Sequence, residues 1–170
     1  MGKRKEVLEA AAKNYGHGDK IIPVQADITS KSDIESAYKT ISAKDQYVHL
    51  LVNNAGISGP WSKTEATETS SIKEDLFHNS EFHEWDATYR LNVASQYFMT
   101  YAFLPLLKKA SQSEKSFSAS IMNTASVSGI TKESQNHLAY NSSKVASIHL
   151  TRLLATELVR GRNANVITNT

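Results

Sequence analysis

Val48-His-Leu-Leu-Val52 is apolar at all but one position, the pattern of a strand covered on both faces rather than one that turns every second residue to water. A helical pattern precedes it at residues 32–42, with Ile34, Ala37, Tyr38 and Ile41 on one face. A longer one follows at 82–110, where Pro105 should kink or break the helix. The alternation runs the length of the chain. A helix is expected at 6–15, ended by Gly16 and Gly18, then strands at 21–26 and 118–123, a helix at 137–160 and the start of a last strand at 165–167. Short strands alternating with helices of ten or more residues specify an α/β fold, a parallel sheet with helices on both faces. Residues 56–80, rich in Ser, Thr and Glu, have little periodicity and read as a loop with a short helical turn, long enough to carry function or flexibility.

The 170 residues fit one modest domain of ordinary apolar content. The chain has no cysteine, which removes disulfide and thiolate chemistry, and no His, Asp or Glu cluster has metal-ligand spacing. His83-Glu84 starts like a zinc-protease sequence, but Ala87 stands where the second histidine belongs, so His83 reads as a surface or helix-cap residue. A net charge of +2 with dispersed basic residues gives no footprint for nucleic acid. No apolar run reaches the roughly 20 residues of a membrane span, and Met1-Gly-Lys-Arg-Lys-Glu6 lacks a signal-peptide core, so a cytoplasmic location is expected. Asn141-Ser-Ser matches a glycosylation acceptor but falls inside an expected helix.

The chemistry concentrates at Tyr140 and Lys144. Spaced i, i+4, a phenol and an ammonium lie over one another on one helix face. At about 5 Å and an effective dielectric of about 20, the positive charge stabilises a phenolate by roughly 3 kcal/mol. That makes an acid/base device, although the spacing alone also occurs by chance. Upstream, Ser118-Ala-Ser-Ile-Met-Asn-Thr-Ala-Ser126-Val-Ser-Gly129 is a short strand ending in small hydroxyl residues and a glycine. Further back stand Leu51-Val-Asn-Asn-Ala-Gly56 and Arg90-Leu-Asn92-Val.

These four segments, in this order and spacing, resemble the short-chain dehydrogenase/reductase family, and the resemblance covers nearly the whole chain. Within it, Phe103-Leu-Pro-Leu-Leu-Lys-Lys-Ala110 and residues 150–159 look like the NADPH-dependent β-ketoacyl reductases, in the branch of the rhamnolipid-pathway carrier-protein reductase. The resemblance implies a Rossmann-type NAD(P)-binding domain that reduces a ketone, a 3-oxoacyl group among the candidates, to a secondary alcohol. Tyr140 would donate the proton, Ser126 would bond the substrate oxygen, and Lys144 would tune the phenol and hold ribose hydroxyls. Asn92 would hold a water that relays protons to Lys144. For the cofactor it implies Asp27 against the adenine with Ile28 beside it, and Asn54, Ala55, Gly56 and Thr124 along the dinucleotide. Lys3 and Arg4 stand where the family selects NADP, because cationic side chains suit a ribose phosphate. Small-molecule carbonyl or alcohol substrates are implied as partners, and full-length relatives would be homo-oligomers. Plainer roles remain open for the same residues: a turn cap for Asp27, a strand-to-loop turn for 54–56 and a buried, satisfied amide for Asn92.

None of the seven glycines forms the family's pyrophosphate-cradling turn, nor does its Pro-Gly follow Val166-Ile-Thr-Asn-Thr170. The expectation is a chain truncated at both ends, a Rossmann-like sheet lacking its first βαβ unit and last strand. Two internal strand edges would then be unpaired. Such a chain alone is expected neither to bind dinucleotide at micromolar levels nor to melt cooperatively. The alternative to the reductase is a catalytically inactive fragment that acts, if at all, by pairing with a relative through its long helices.

Overall fold

The structure, a computed structural model, describes residues 1–16, 20–113, 118–161 and 166–169; Gly18 and Asn165, given boundary roles above, lie outside them. Three parallel strands, β1 (Leu50–Asn53), β2 (Ala119–Asn123) and β3 (Val166–Asn169), form a sheet of order β1-β2-β3. Leu51 is opposite Ile121, and Ile121 opposite Thr168. The helices are α1 (Lys5–Tyr15), α2 (Lys31–Ser42), α3 (Thr69–Lys73), α4 (Phe82–Tyr89), α5 (Ser95–Ser113) and α6 (Leu138–Gly161). Ser30 starts α2 by accepting from the Asp33 amide at 3.3 Å. A capping box of Glu81 and Glu84 starts α4, and His83 is exposed in its first turn. The glycosylation-like Asn141-Ser-Ser lies inside α6. Among the described residues no helix is long and apolar enough to cross a membrane.

Strand alternation decides where the core sits. Leu51, Ala119 and Ile121 are buried against Met99, Phe103, Leu106, Leu107 and Ala110 of α5, with Ile34 of α2 and Leu158 of α6 in the same cluster. Leu50, Val52, Met122 and Ile167 are exposed; Leu50 is 49% accessible. Among the described residues, cover on both faces is therefore realised on one face of this sheet.

Three expectations are corrected. Residues 21–26 make no strand; a single parallel bridge joins Gln25 to Gly2, because no neighbouring segment pairs with the rest. Of the kink or break expected at Pro105, the break does not occur: α5 continues through it with Phe103, Leu106 and Leu107 fully buried around it. The helical pattern changes instead at Arg90–Ala94, a π-helical turn between α4 and α5. The 56–80 segment contains α3 and a second π-helical turn, Glu74–His78, where one short turn was expected.

Polar side chains also join α6 to the rest of the fold. Ser143, Ser147 and Thr151 recur at helical spacing on a buried face. The Asn92 amide donates to Ser143 Oγ, Ser147 Oγ donates to Gln96 Oε1 and the Asn123 amide donates to Thr151 Oγ1, each at 2.9 Å. The Asn53 amide donates to Asn123 Oδ1 at 2.8 Å, carrying the chain into β1. Buried groups are affordable only when paired, and this pairing fixes the register of α6 against the strand ends.

Candidate active site

The site forms beyond the carboxyl ends of β1 and β2, the usual place for ligands in an open parallel sheet. The i, i+4 spacing on α6 brings Lys144 Nζ to 5.5 Å from the centroid of the Tyr140 ring. Lys144 is 4% accessible and donates to the Thr124 carbonyl oxygen at 2.8 Å. Among the described residues no carboxylate pairs with it. A buried ammonium without an anion is costly to keep. Tyr140 is half-buried, with its ring at the same helix face.

Asn92 occupies the π-helical turn and is fully buried. The Ile57 amide donates to its Oδ1 at 2.9 Å, while its Nδ2 donates to the Ile57 carbonyl and to Ser143 Oγ, each at 2.9 Å. Ser143 Oγ in turn donates to the Tyr140 carbonyl at 2.7 Å. Asn92 thus braces the loop after β1 against the helix that carries Tyr140. A Cβ placed on Gly56 would lie 3.1 Å from Asn92 Oδ1, a tight contact, and 3.8 Å from Lys144 Nζ, an ordinary one, so glycine lets the chain pass Asn92 without rearrangement. Asn54 and Ala55 are exposed at the same strand end, and Thr124 Oγ1 donates to Asn54 Oδ1 at 3.0 Å.

Ser126 follows β2 and caps the short turn Val127–Gly129, its Oγ accepting from the Ser128 amide at 3.2 Å. It lines an open cavity of about 840 Å³ with Val127, Ile130, Ile148, His149 and Arg152. Gly129 packs on α6; a Cβ there would come within 2.8 Å of Ile148 Cδ1 and 3.0 Å of the Lys144 backbone. The hydroxyl proton of Ser126 is directed by none of these contacts and is available to a ligand.

Lys3, Arg4, Asp27 and Ile28 form a separate group. Lys3 Nζ is 2.8 Å from Asp27 Oδ2, and the two line a cavity of about 440 Å³ with Gln25, Asp33 and Ser36. Asp27 Oδ1 also accepts from the amide and hydroxyl of Thr29, at 2.9 and 2.7 Å. Partial burial opposes its ionisation, but the bonds from Lys3 and Thr29 prevail and hold its carboxyl down to about 2. Asp33 is lowered as well, chiefly by the Asp27 amide bonded to it. Arg4 is exposed at the start of α1, and Ile28 is partly buried against the core. Among the described residues no cluster of His, Asp and Glu could hold a metal ion.

Sequence reasoning missed Ser143, whose link between Asn92 and the Tyr140 carbonyl had one signal, a small hydroxyl between the tyrosine and the lysine. It also missed Thr64 and Asn136, whose mutual bonds join segments 72 residues apart.

A short chain dehydrogenase family model matches residues 1–169. The chain is 36% identical over 163 residues to the short-chain dehydrogenase/reductase PhomF of Diaporthe leptostromiformis, covering 94% of this chain and 55% of that protein. It is 31% identical over 159 residues to the rhamnolipids biosynthesis 3-oxoacyl-[acyl-carrier-protein] reductase of Pseudomonas aeruginosa, covering 93% and 55%. Among solved structures it resembles the Pseudomonas aeruginosa RhlG/NADP active-site complex, with a TM-score of 0.76, 25% identity and coverage of 96% and 57%. It also resembles the 3-ketoacyl-(acyl-carrier-protein) reductase of Brucella melitensis complexed with NADH, with a TM-score of 0.76, 29% identity and coverage of 96% and 59%. The chain spans about half the length of the curated relatives it matches. The fold is Rossmann-like, and the chain belongs to the short chain dehydrogenase family of oxidoreductases.

Proposed function

We propose that residues 1–170 are part of an NAD(P)-binding domain that reduces a ketone, a 3-oxoacyl group among the candidates, to a secondary alcohol, with NADPH preferred over NADH. The observation that carries this reading is the buried ammonium of Lys144 beside the Tyr140 ring, with no carboxylate partner among the described residues. A structural lysine would be exposed or paired, whereas one held here stabilises negative charge developing on the phenol oxygen.

The residues near Lys144 fit a dinucleotide. A side chain at 56 would crowd Asn92 Oδ1 beside the ammonium, and Lys144 has two protons beyond the one given to Thr124. NADPH supplies the hydride when bound. Ser126 then bonds the carbonyl oxygen and orients it, and Tyr140 Oη delivers the proton to that oxygen as the carbonyl carbon is reduced. Lys144 stabilises the phenolate left behind and holds ribose hydroxyls, while Asn92 keeps the 54–57 loop and α6 in register. A role for Asn92 in proton relay would use the remaining lone pair of Oδ1, since both of its amide protons are engaged. Asp27 and Ile28 would face the adenine. Arg4, without a side-chain partner among the described residues, is the freer cation for a ribose phosphate, because Lys3 already pairs with Asp27. The two solved relatives are complexes with NADP and with NADH, so preference rests on Lys3 and Arg4. A cytoplasmic, homo-oligomeric enzyme acting on small carbonyl compounds fits this reading.

A second reading, a non-enzymatic chain that pairs with a relative through its long helices, draws on Tyr97 and Phe98 of α5 and Val145 and Leu153 of α6, all exposed. Turnover separates the two. A panel of ketones and 3-oxoacyl thioesters, assayed with NADPH and NADH on a full-length protein that carries residues 1–170, should show NADPH-dependent consumption that Lys144→Met abolishes. No turnover with either cofactor favours the second reading, and equal rates with NADH refute the preference.

A further inference from the structure

The 57–64 segment is fastened at both ends. At one end, Ile57 exchanges two hydrogen bonds with Asn92 beside Lys144. At the other, Asn136 Oδ1 accepts from the Thr64 amide at 3.1 Å and from Thr64 Oγ1 at 2.8 Å, and the Asn136 carbonyl accepts from the Ser62 amide at 2.7 Å. Thr64 Oγ1 also lies 3.1 Å from Ser134 Oγ. Ser134 is itself fixed to the catalytic helix, because Asn141, the residue after Tyr140, donates from Nδ2 to the carbonyls of Glu133 and Ser134, each at 2.9 Å. Between the two feet, Gly59 has φ +68 and packs on Thr88, while Trp61 is 62% accessible and Ser62 only 3%.

Asn136 makes these bonds from a left-handed backbone, φ 60, immediately after Gln135 at φ 49. Two consecutive non-glycine residues in that region are uncommon, and such conformations persist where the surroundings compensate for them. Asparagine tolerates the region better than most side chains and adds an acceptor that glycine lacks. The combination serves the clasp.

We infer that Asn136 is a positioning residue that pins segment 57–64 as a fixed arch between the Lys144 and Tyr140 ends of the site, making Trp61 and its neighbours a preformed wall for the substrate's body. The inference rests on the carbonyl-reductase reading above. It assigns the wall to substrate binding: the clasp reaches Tyr140 only through Asn141 and the loop before it, and it donates nothing to a reacting atom.

The test uses Asn136→Gly, which keeps the left-handed backbone accessible and removes the carboxamide, with Thr64→Val as a second variant. Amide hydrogen exchange on the full chain should accelerate about tenfold at Ser62 and Thr64, the effect of losing one or two hydrogen bonds in a locally opening segment, with residues 142–151 of α6 unchanged. In ketone reduction, KM should rise about five- to tenfold in both variants with kcat within about twofold, the signature of lost ground-state binding. Unchanged exchange at Thr64, or a fall in kcat at constant KM, overturns the inference. Failure of the underlying reading has a different signature: no ketone would be reduced with either cofactor while the exchange result stood.

Discussion

Replacing Asn92 by alanine removes three hydrogen bonds of 2.9 Å from one buried carboxamide. Their losses are unequal. Ser143 Oγ still donates to the Tyr140 carbonyl, so it loses only an acceptor role, and that bond contributes little to the total. Ile57 loses partners for both its N–H and its C=O, but it belongs to an exposed stretch where water can replace them. The net cost is then two ordinary hydrogen bonds, about 1–3 kcal/mol, rather than the larger penalty of stranded buried groups.

That cost falls on the local anchorage of the 54–57 loop. Amide exchange at Ile57 should accelerate between about fivefold and about 150-fold, the equivalent of 1–3 kcal/mol. Exchange in the centre of β2 should stay unchanged, since Ile121 is held by strand neighbours and core packing. Asn92→Asp should give an intermediate effect, because its carboxylate accepts from the Ile57 amide but donates to neither oxygen. The reasoning is refuted if exchange at Ile57 changes less than about twofold in the alanine variant, or if the aspartate variant loses more protection than alanine.

Three further outcomes are expected. Gly59→Ala should loosen the 57–64 segment by about 2–4 kcal/mol, combining left-handed strain with a Cβ that would sit 2.5 Å from Thr88 Oγ1; in limited proteolysis, adding Thr88→Ala should recover only the steric part. In a full-length protein that carries residues 1–170, Asn123→Leu should lower the urea midpoint of the circular-dichroism transition by the equivalent of about 2–5 kcal/mol, because the Asn53 amide and the Thr151 hydroxyl both lose a buried partner. For Asp27, lowered in the folded chain from 3.8 to about 2, the stabilisation is complete above about pH 4 and lost as pH falls towards 2; Lys3→Ala should raise the Asp27 midpoint in a carboxyl NMR titration, and an unmoved midpoint would rule out the ion pair as a cause.

Much of the molecule was legible in its sequence, where local pattern and tertiary role agree. The face of α2, the strand around Leu51 and the Tyr140–Lys144 spacing are local patterns that the structure contains, although the strand is covered on one face among the described residues rather than on both. Pro105 is different: its effect depends on how firmly Phe103, Leu106 and Leu107 are held by other elements, which no local window contains. Residues 21–26 carry strand character, yet a strand exists only where another pairs with it. The π-helical turn at Asn92 makes sense once Ile57 and Ser143 are in place, and the Thr64–Asn136 clasp joins two polar loops with no periodicity to connect them. For the candidate site, the groups proposed to react were expected from residue type and spacing, because the chemistry narrows both. Their supports were not, since a Ser, Thr or Asn serves equally as surface, cap or brace.

The account depends most on Tyr140 as the proton donor. NADPH oxidation with an accepted ketone, measured for a full-length protein that carries residues 1–170 and for its Tyr140→Phe variant, tests this most directly, because the substitution removes one oxygen and leaves the ring and Lys144 in place. Turnover should fall by at least about a hundredfold, the contribution of a positioned general acid. Turnover within about twofold of the parent would contradict the central claim and move the acid elsewhere.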